Sequence, residues 1–153
     1  MNGIDLTLRA LRRGECRLAA ELLAAADRHR TDHEVRHVAT DLAHWSQEHV
    51  RRLAEAGAGP EPAAHEDTRA PDPDPEESHP GLSLLRDLRV LHLAAAENSL
   101  HWEMLAQTAQ ATRDKALLAL ASECHPRTLR QMRWTNTMIK NIAPQVLAVS
   151  PAR

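Results

Sequence analysis

The sequence predicts an all-α protein, a single four-helix bundle with a long connection between its second and third helices. Three observations carry this. Apolar residues recur at alternating steps of three and four in four separate stretches, the period of a helix with one buried face. The chain has three Trp, no Phe and no Tyr, so its core must be aliphatic, and a large sheet built on aromatic and β-branched residues is unlikely on composition alone. A Pro-rich acidic segment, 57–81, divides the four stretches into two pairs.

The first seam is Ile4, Leu8, Leu11, Leu18, Leu22 and Ala25, with Asp5 or Thr7 as capping candidates. This helix fades near 28–30. Thr31 and Asp32 open the second, with Glu34 three residues after Thr31 in the pattern of a capping box. Its less polar face is Val35, Val38, Leu42, Trp45, His49 and Leu53, and Gly57 and Gly59 close it. Segment 57–81 holds six of the nine prolines and seven acids against Arg69. It buries too little apolar surface to order itself and reads as a linker, net −6 against +4 for the rest of the chain. The third helix, about 82–111, shows two seams. One is Leu84, Leu88, Leu91, Ala95, Trp102, Leu105 and Ala109; the other is Val90, Leu93, Leu100 and Met104. Two seams imply burial on both sides. After a turn at 112–115, the fourth helix runs to about Ile142, and Pro126 is expected to kink or restart it near His125. The tail from Ala143 is expected to pack or fray.

Short first and third connections make two antiparallel hairpins. The middle connection of 25 residues, about 80 Å when extended, is long enough to cross the bundle's length. An up-down bundle with an inserted loop is the other topology these lengths allow.

Composition excludes several function classes. The chain has 153 residues and a net charge of −2, so no global basic field points to nucleic acid. The bases Arg9, Arg12, Arg13 and Arg17, and Arg127, Arg130 and Arg133, read as solvated faces, because acids intersperse them and no aromatic platform accompanies them. Cys16 and Cys124 are isolated and make no disulfide framework. No apolar run reaches the length of a membrane span, and the N-terminus lacks the regions of a signal peptide. The expectation is a soluble cytoplasmic protein, with no membrane or nucleic-acid partner. No phosphate loop, zinc-finger spacing or nucleophile elbow is present.

The informative residues are polar ones on apolar seams. Glu15 lies between Leu11 and Leu18, and Glu97 interrupts the seam of Val90, Leu93, Leu100 and Met104. A buried carboxylate needs a cation, a metal or a proton. Asp41 and His44 share a face at i, i+3, within the stripe His37, Asp41, His44 and Glu48. Counted from the helix ends, Glu15, Asp41, His44 and Glu97 fall at one level of a crossover bundle, with His101 one turn after Glu97.

A mid-helix Glu, a carboxylate-x-x-His and a further mid-helix Glu resemble the ferritin-like di-iron carboxylate proteins, rubrerythrin-type domains among them. The stretch DLAHWSQEHVRRLAEAG is similar in texture to their second helix, and the whole chain has the look of uncharacterised actinobacterial helical bundles. The resemblance implies that Glu15, Asp41, His44 and Glu97 are metal ligands. It also implies a second Glu-x-x-His on helix 4, where this chain has Glu123-x-x-Pro126. Two readings stay open. The site is asymmetric and completed by His101, Glu123 or His125, with mixed imidazole and carboxylate ligands suited to iron, manganese or zinc. Or the metal is gone, and Arg127 or Arg130 pairs with Glu97 or Glu15.

Two functions follow. One is a metal-binding ferritin-like protein, with oxidoreductase-type iron or manganese chemistry implied by the resemblance. The other is a metal-free bundle acting as an interaction or scaffold module, with a homodimer as the implied assembly.

Overall fold

The computed structural model describes residues 2–59 and 79–148. Most of the expected linker, 60–78, lies outside the described residues. Those described form four helices, α1 (Gly3–Arg28), α2 (His33–Glu55), α3 (Pro80–Thr112) and α4 (Lys115–Leu147), with no strand among them.

Local chemistry sets each helix end. Asn2 caps α1 in a reciprocal box with Asp5, so the predicted Asp5 takes part but the cap lies three residues earlier. Asp32, rather than Thr31, caps α2 by accepting from the Val35 N–H. At its far end Gly57 takes a φ of 103°. The Gly57 and Ala58 N–H groups then return to the Ala54 and Leu53 carbonyls, the paired bonds of a Schellman stop. Arg12 of α1 donates to the Ala58 and Gly59 carbonyls just beyond. His79 caps α3 through Nδ1, with Pro80 in the first turn, where a missing N–H costs nothing. Arg113 turns the chain at φ 56°, and Asp114 caps α4.

Two expectations about α4 are corrected. It runs unbroken through Pro126 and Pro144 to Leu147, so it neither restarts at His125 nor ends at Ile142. Pro126 leaves only the Ser122 carbonyl without its helical donor, and both residues are exposed.

Cross-helix bonds fix the packing. α1 and α2 are a hairpin joined by Glu15–His49 and by Arg12 to Ala58. Ser99–His125 and His92–Thr135 join α3 to α4. Arg28 meets Asp87 while Glu15 meets Asn98 and Trp102, so α1 and α3 are antiparallel neighbours. Gln131 meets Ser46, and Arg127 meets Glu48, so α2 and α4 are antiparallel as well. The His29–Asp87 bond places the first turns of α3 beside the α1–α2 turn.

The seam through Leu84, Leu88, Leu91, Ala95, Trp102, Leu105 and Ala109 is buried as expected. The second α3 seam is not. Leu93, Leu100 and Met104 are 69%, 66% and 54% exposed. Among the described residues α3 packs chiefly on α1 and α4, and this third apolar side meets neither.

Candidate buried polar centre

The middle of the bundle is built around Glu15, which is fully buried. Its position between Leu11 and Leu18 turns it toward α2 and α3. His49 of α2 bonds to Oε2 through Nδ1 at 2.7 Å. Trp102 of α3 donates its indole N–H to the same oxygen at 3.1 Å, and the Asn98 amide donates to Oε1 at 3.5 Å. Imidazole and indole also meet edge to face, their centroids 5.9 Å apart. Glu15 is thus a three-donor acceptor, sealed by Leu11, Leu18 and Leu53, each 1% exposed or less. Charge-assisted bonds of this kind are the strong class, and burial makes each one costly to lose.

Gly14 makes the approach possible. A Cβ there would stand 2.0 Å from the Asn98 Oδ1, so only glycine lets the amide lie against α1. The same glycine helps to floor a groove of about 180 Å³ between α1 and α3, walled by Arg13, Arg17, Glu97 and His101. The His49 Nε2 and the His101 Nδ1 are buried and have no hydrogen-bond partner among the described residues.

The residues proposed as ligands are scattered by the structure. Only Glu15 lies in the buried centre. Asp41 and His44 are exposed on the outer face of α2, and Glu97 is exposed on α3. His101 is half-buried on the groove wall. His125 is half-buried on α4, bonded through Nε2 to Ser99 and 3.7 Å from the Glu103 carboxylate. Among the described residues no three His, Cys, Asp or Glu side chains gather as a metal would require.

The arginine pairing is also redrawn. Arg127 pairs with Glu48 at 3.0 Å and lies over the Trp45 ring; Arg52 pairs with Glu123. Neither Arg127 nor Arg130 reaches Glu15 or Glu97, and the Glu15 partner is a histidine. The Arg127 hydrogen bond holds the Glu48 carboxyl below its usual range.

His49, Asn98 and Trp102 went unassigned by sequence reasoning, although each left a signal. His49 stands on the less polar face of α2, four residues before Leu53. Trp102 stands on the buried seam of α3 and carries a donor that needs an acceptor.

A second polar cluster closes the bundle's end. Asp87 is buried and accepts two bonds from Arg28, at 3.0 and 3.1 Å, and one from His29 at 2.7 Å. Burial pushes its carboxyl up, but the His29 and Arg28 bonds outweigh this and hold it below the usual aspartate range. Nearby, burial pushes the Glu21 carboxyl up against the pull of Arg17.

Cys124 is buried, and burial pushes its thiol up to about 12. It therefore stays protonated at neutral pH and packs as a small apolar group. Among the described residues no helix is long and apolar enough to cross a membrane. No protein-family model, curated protein or solved structure matches the chain.

Proposed function

We propose that the protein is a ferritin-like bundle that works as a protein-interaction module, docking partners on the outer face of α3. The observation that carries this is the exposed stripe of Leu93, Leu100 and Met104. An apolar row on one face of a long helix is the usual mark of a binding surface. The ferritin-like topology is part of the proposal. The first turns of α3 lie beside the α1–α2 turn, and α2 ends at the opposite end of the bundle. The connection would then cross the bundle's length.

In this reading the buried centre is structural. Glu15 takes a metal ligand's position, but protein donors from two other helices already engage both of its oxygens. The donor set fits a hydrogen-bonded carboxylate better than a metal centre.

A second reading keeps a metal, iron or manganese, at the buried centre, with Glu15 the one ligand of the expected set that lies there. The unpartnered Nε2 of His49 beside Glu15 favours it, since an imidazole held by a carboxylate at Nδ1 offers Nε2 to a metal.

Elemental analysis and thermal melts of the untagged full chain separate the two. The interaction reading expects metal well below one equivalent and no rise in melting temperature on adding iron, manganese or zinc. About one equivalent of metal per chain, with a rise in melting temperature from linkage, overturns the metal-free centre.

A further inference from the structure

We propose that Ser99, His125 and Glu103 form a nucleophilic serine site, on the open side of the α3–α4 contact, that cleaves small activated acyl esters. The site shares no residue with the apolar stripe or the buried centre, so it goes beyond both readings above and is tested apart from them.

Helix spacing sets the trio. Ser99, Glu103 and Gln107 are one turn apart along one side of α3. His125 of α4 bridges the first two. Its Nε2 lies 2.9 Å from the Ser99 hydroxyl, and its Nδ1 lies 3.7 Å from a Glu103 oxygen. Gln107 donates to the other Glu103 oxygen at 3.3 Å. A carboxylate can only accept, so it draws the ring proton to Nδ1 and leaves Nε2 to accept from Ser99. Nucleophile, base and orienting acid then stand in the order that activates a serine. Glu103 is 55% exposed and the His125 side chain 18%, so the acid has room to close the longer gap and the base opens to solvent.

Two comparisons set this apart from ordinary helix packing. Thr7, Thr40, Thr108, Thr112 and Thr128 each turn the hydroxyl back to the carbonyl four residues earlier, the usual fate of a helical hydroxyl. Ser99 meets another helix instead. The same two helices hold a second hydroxyl–imidazole pair, Thr135 with His92 at 2.8 Å. Thr135 is buried and its hydroxyl also donates to the Met132 carbonyl. No carboxylate bonds the His92 ring among the described residues. That pair ties the helices together, whereas Ser99 and His125 add an acid and access to solvent.

The step balances. Ser99 Oγ bonds to the ester carbonyl carbon as its proton passes to His125 Nε2. The bond from that carbon to the leaving oxygen breaks, and the departing alcohol takes the proton. Water then attacks the acyl-serine and gives a proton to Nε2; the carboxylic acid leaves, and the proton returns to Ser99. The sum is ester plus water to acid plus alcohol. Both helices run unbroken here, so their N–H groups are spent on the helices and do not converge on the developing oxyanion. The acceleration is that of a positioned base, about 10²–10⁴-fold, which restricts the substrate to esters with a good leaving group. Leu129, one turn after His125 and 44% exposed, gives the acyl group an apolar surface.

Labelling of the untagged full chain with diisopropyl fluorophosphate tests this. A covalent probe is needed because ten histidines would hydrolyse a chromogenic ester unaided. Ser99 Oγ should bond to phosphorus with loss of fluoride, its proton leaving through His125. Peptide mass spectrometry should find one adduct per chain, at Ser99, and none in Ser99→Ala. His125→Ala and His125→Gln should each slow labelling by about a hundredfold with circular-dichroism spectra unchanged, and His92→Ala should label at the native rate. Glu103 is a positioning residue. Nitrogen-15 shifts of the neutral His125 ring should place its proton on Nδ1, and Glu103→Ala should mix the two tautomers and slow labelling. No adduct on the folded native chain overturns the proposal, as does an adduct on another residue or one formed as fast without His125. A native proton on Nε2 overturns the role of Glu103.

Discussion

Glu15 and Asp87 are both buried carboxylates, yet they are satisfied in opposite ways. Asp87 sits where α1 turns into α2, and the Arg28 that reaches it keeps a third of its side chain in solvent. A guanidinium can hold a buried acid there without being fully dehydrated itself. Glu15 sits at mid-bundle, and its partners His49, Asn98 and Trp102 are each 1% exposed or less. Its donors are imidazole, indole and amide, with no Arg or Lys among them. Depth therefore selects the partner. At an end, long cations serve because they can stretch outward; at the centre, compact donors on neighbouring helices serve because they cost less to dehydrate.

The largest effect expected is at the centre. Glu15→Ala strands three buried donors and should cost about 3–5 kcal/mol, as for breaking one side of a buried pair. Urea unfolding measures this. Replacing the closest pair, Glu15→Leu with His49→Leu, should recover part of the loss, since it removes one of the three stranded donors. A double variant as unstable as the single would place the cost elsewhere.

Asp87→Ala should cost less, about 2–3 kcal/mol, because the freed Arg28 can turn to solvent. It should also change the pH profile. The folded carboxyl titrates below the ordinary aspartate value of 3.8. Its contribution is therefore complete above that value and is lost as pH falls toward the folded one. Melting temperature against pH should fall in that acid range in the native chain and flatten in Asp87→Ala.

Gly14→Ala comes next. Its methyl group must displace Asn98, at a cost of about 1–3 kcal/mol for overpacking. With Asn98→Ala already present, the same change should stabilise by up to about 1 kcal/mol through helix propensity. That reversal of sign ties the glycine to the amide. The smallest effect belongs to the outer pair, where Arg127→Ala should cost under about 1 kcal/mol and respond to salt.

Sequence periodicity made the helices legible, because each of the four carries a full apolar seam. The burial of Glu15 and its level beside helix 3 were legible for the same reason. The partners were less so. Glu97 and Asn98 differ by one residue, or about 100° of helix, and two seams on α3 gave no means of choosing which faced inward. Leu93, Leu100 and Met104 misled because period reports an apolar face without saying whether the chain itself covers it. Histidine and carboxylate on one helix face look alike whether they hold a metal or meet solvent, so Asp41 and His44 could not be placed by spacing alone. Helix 4 was shortened because proline is a weaker stop on an exposed face than its cost in an isolated helix suggests.

The indole hydrogen of Trp102 points at a carboxylate on another helix and is shielded on every side. Its replacement by deuterium requires α1 to part from α3, so it should be among the slowest side-chain protons to exchange. That single resonance would serve as a clock for whole-bundle opening, set apart from the fraying of helix ends. The centre of the molecule thus carries its own gauge of how often the fold comes undone.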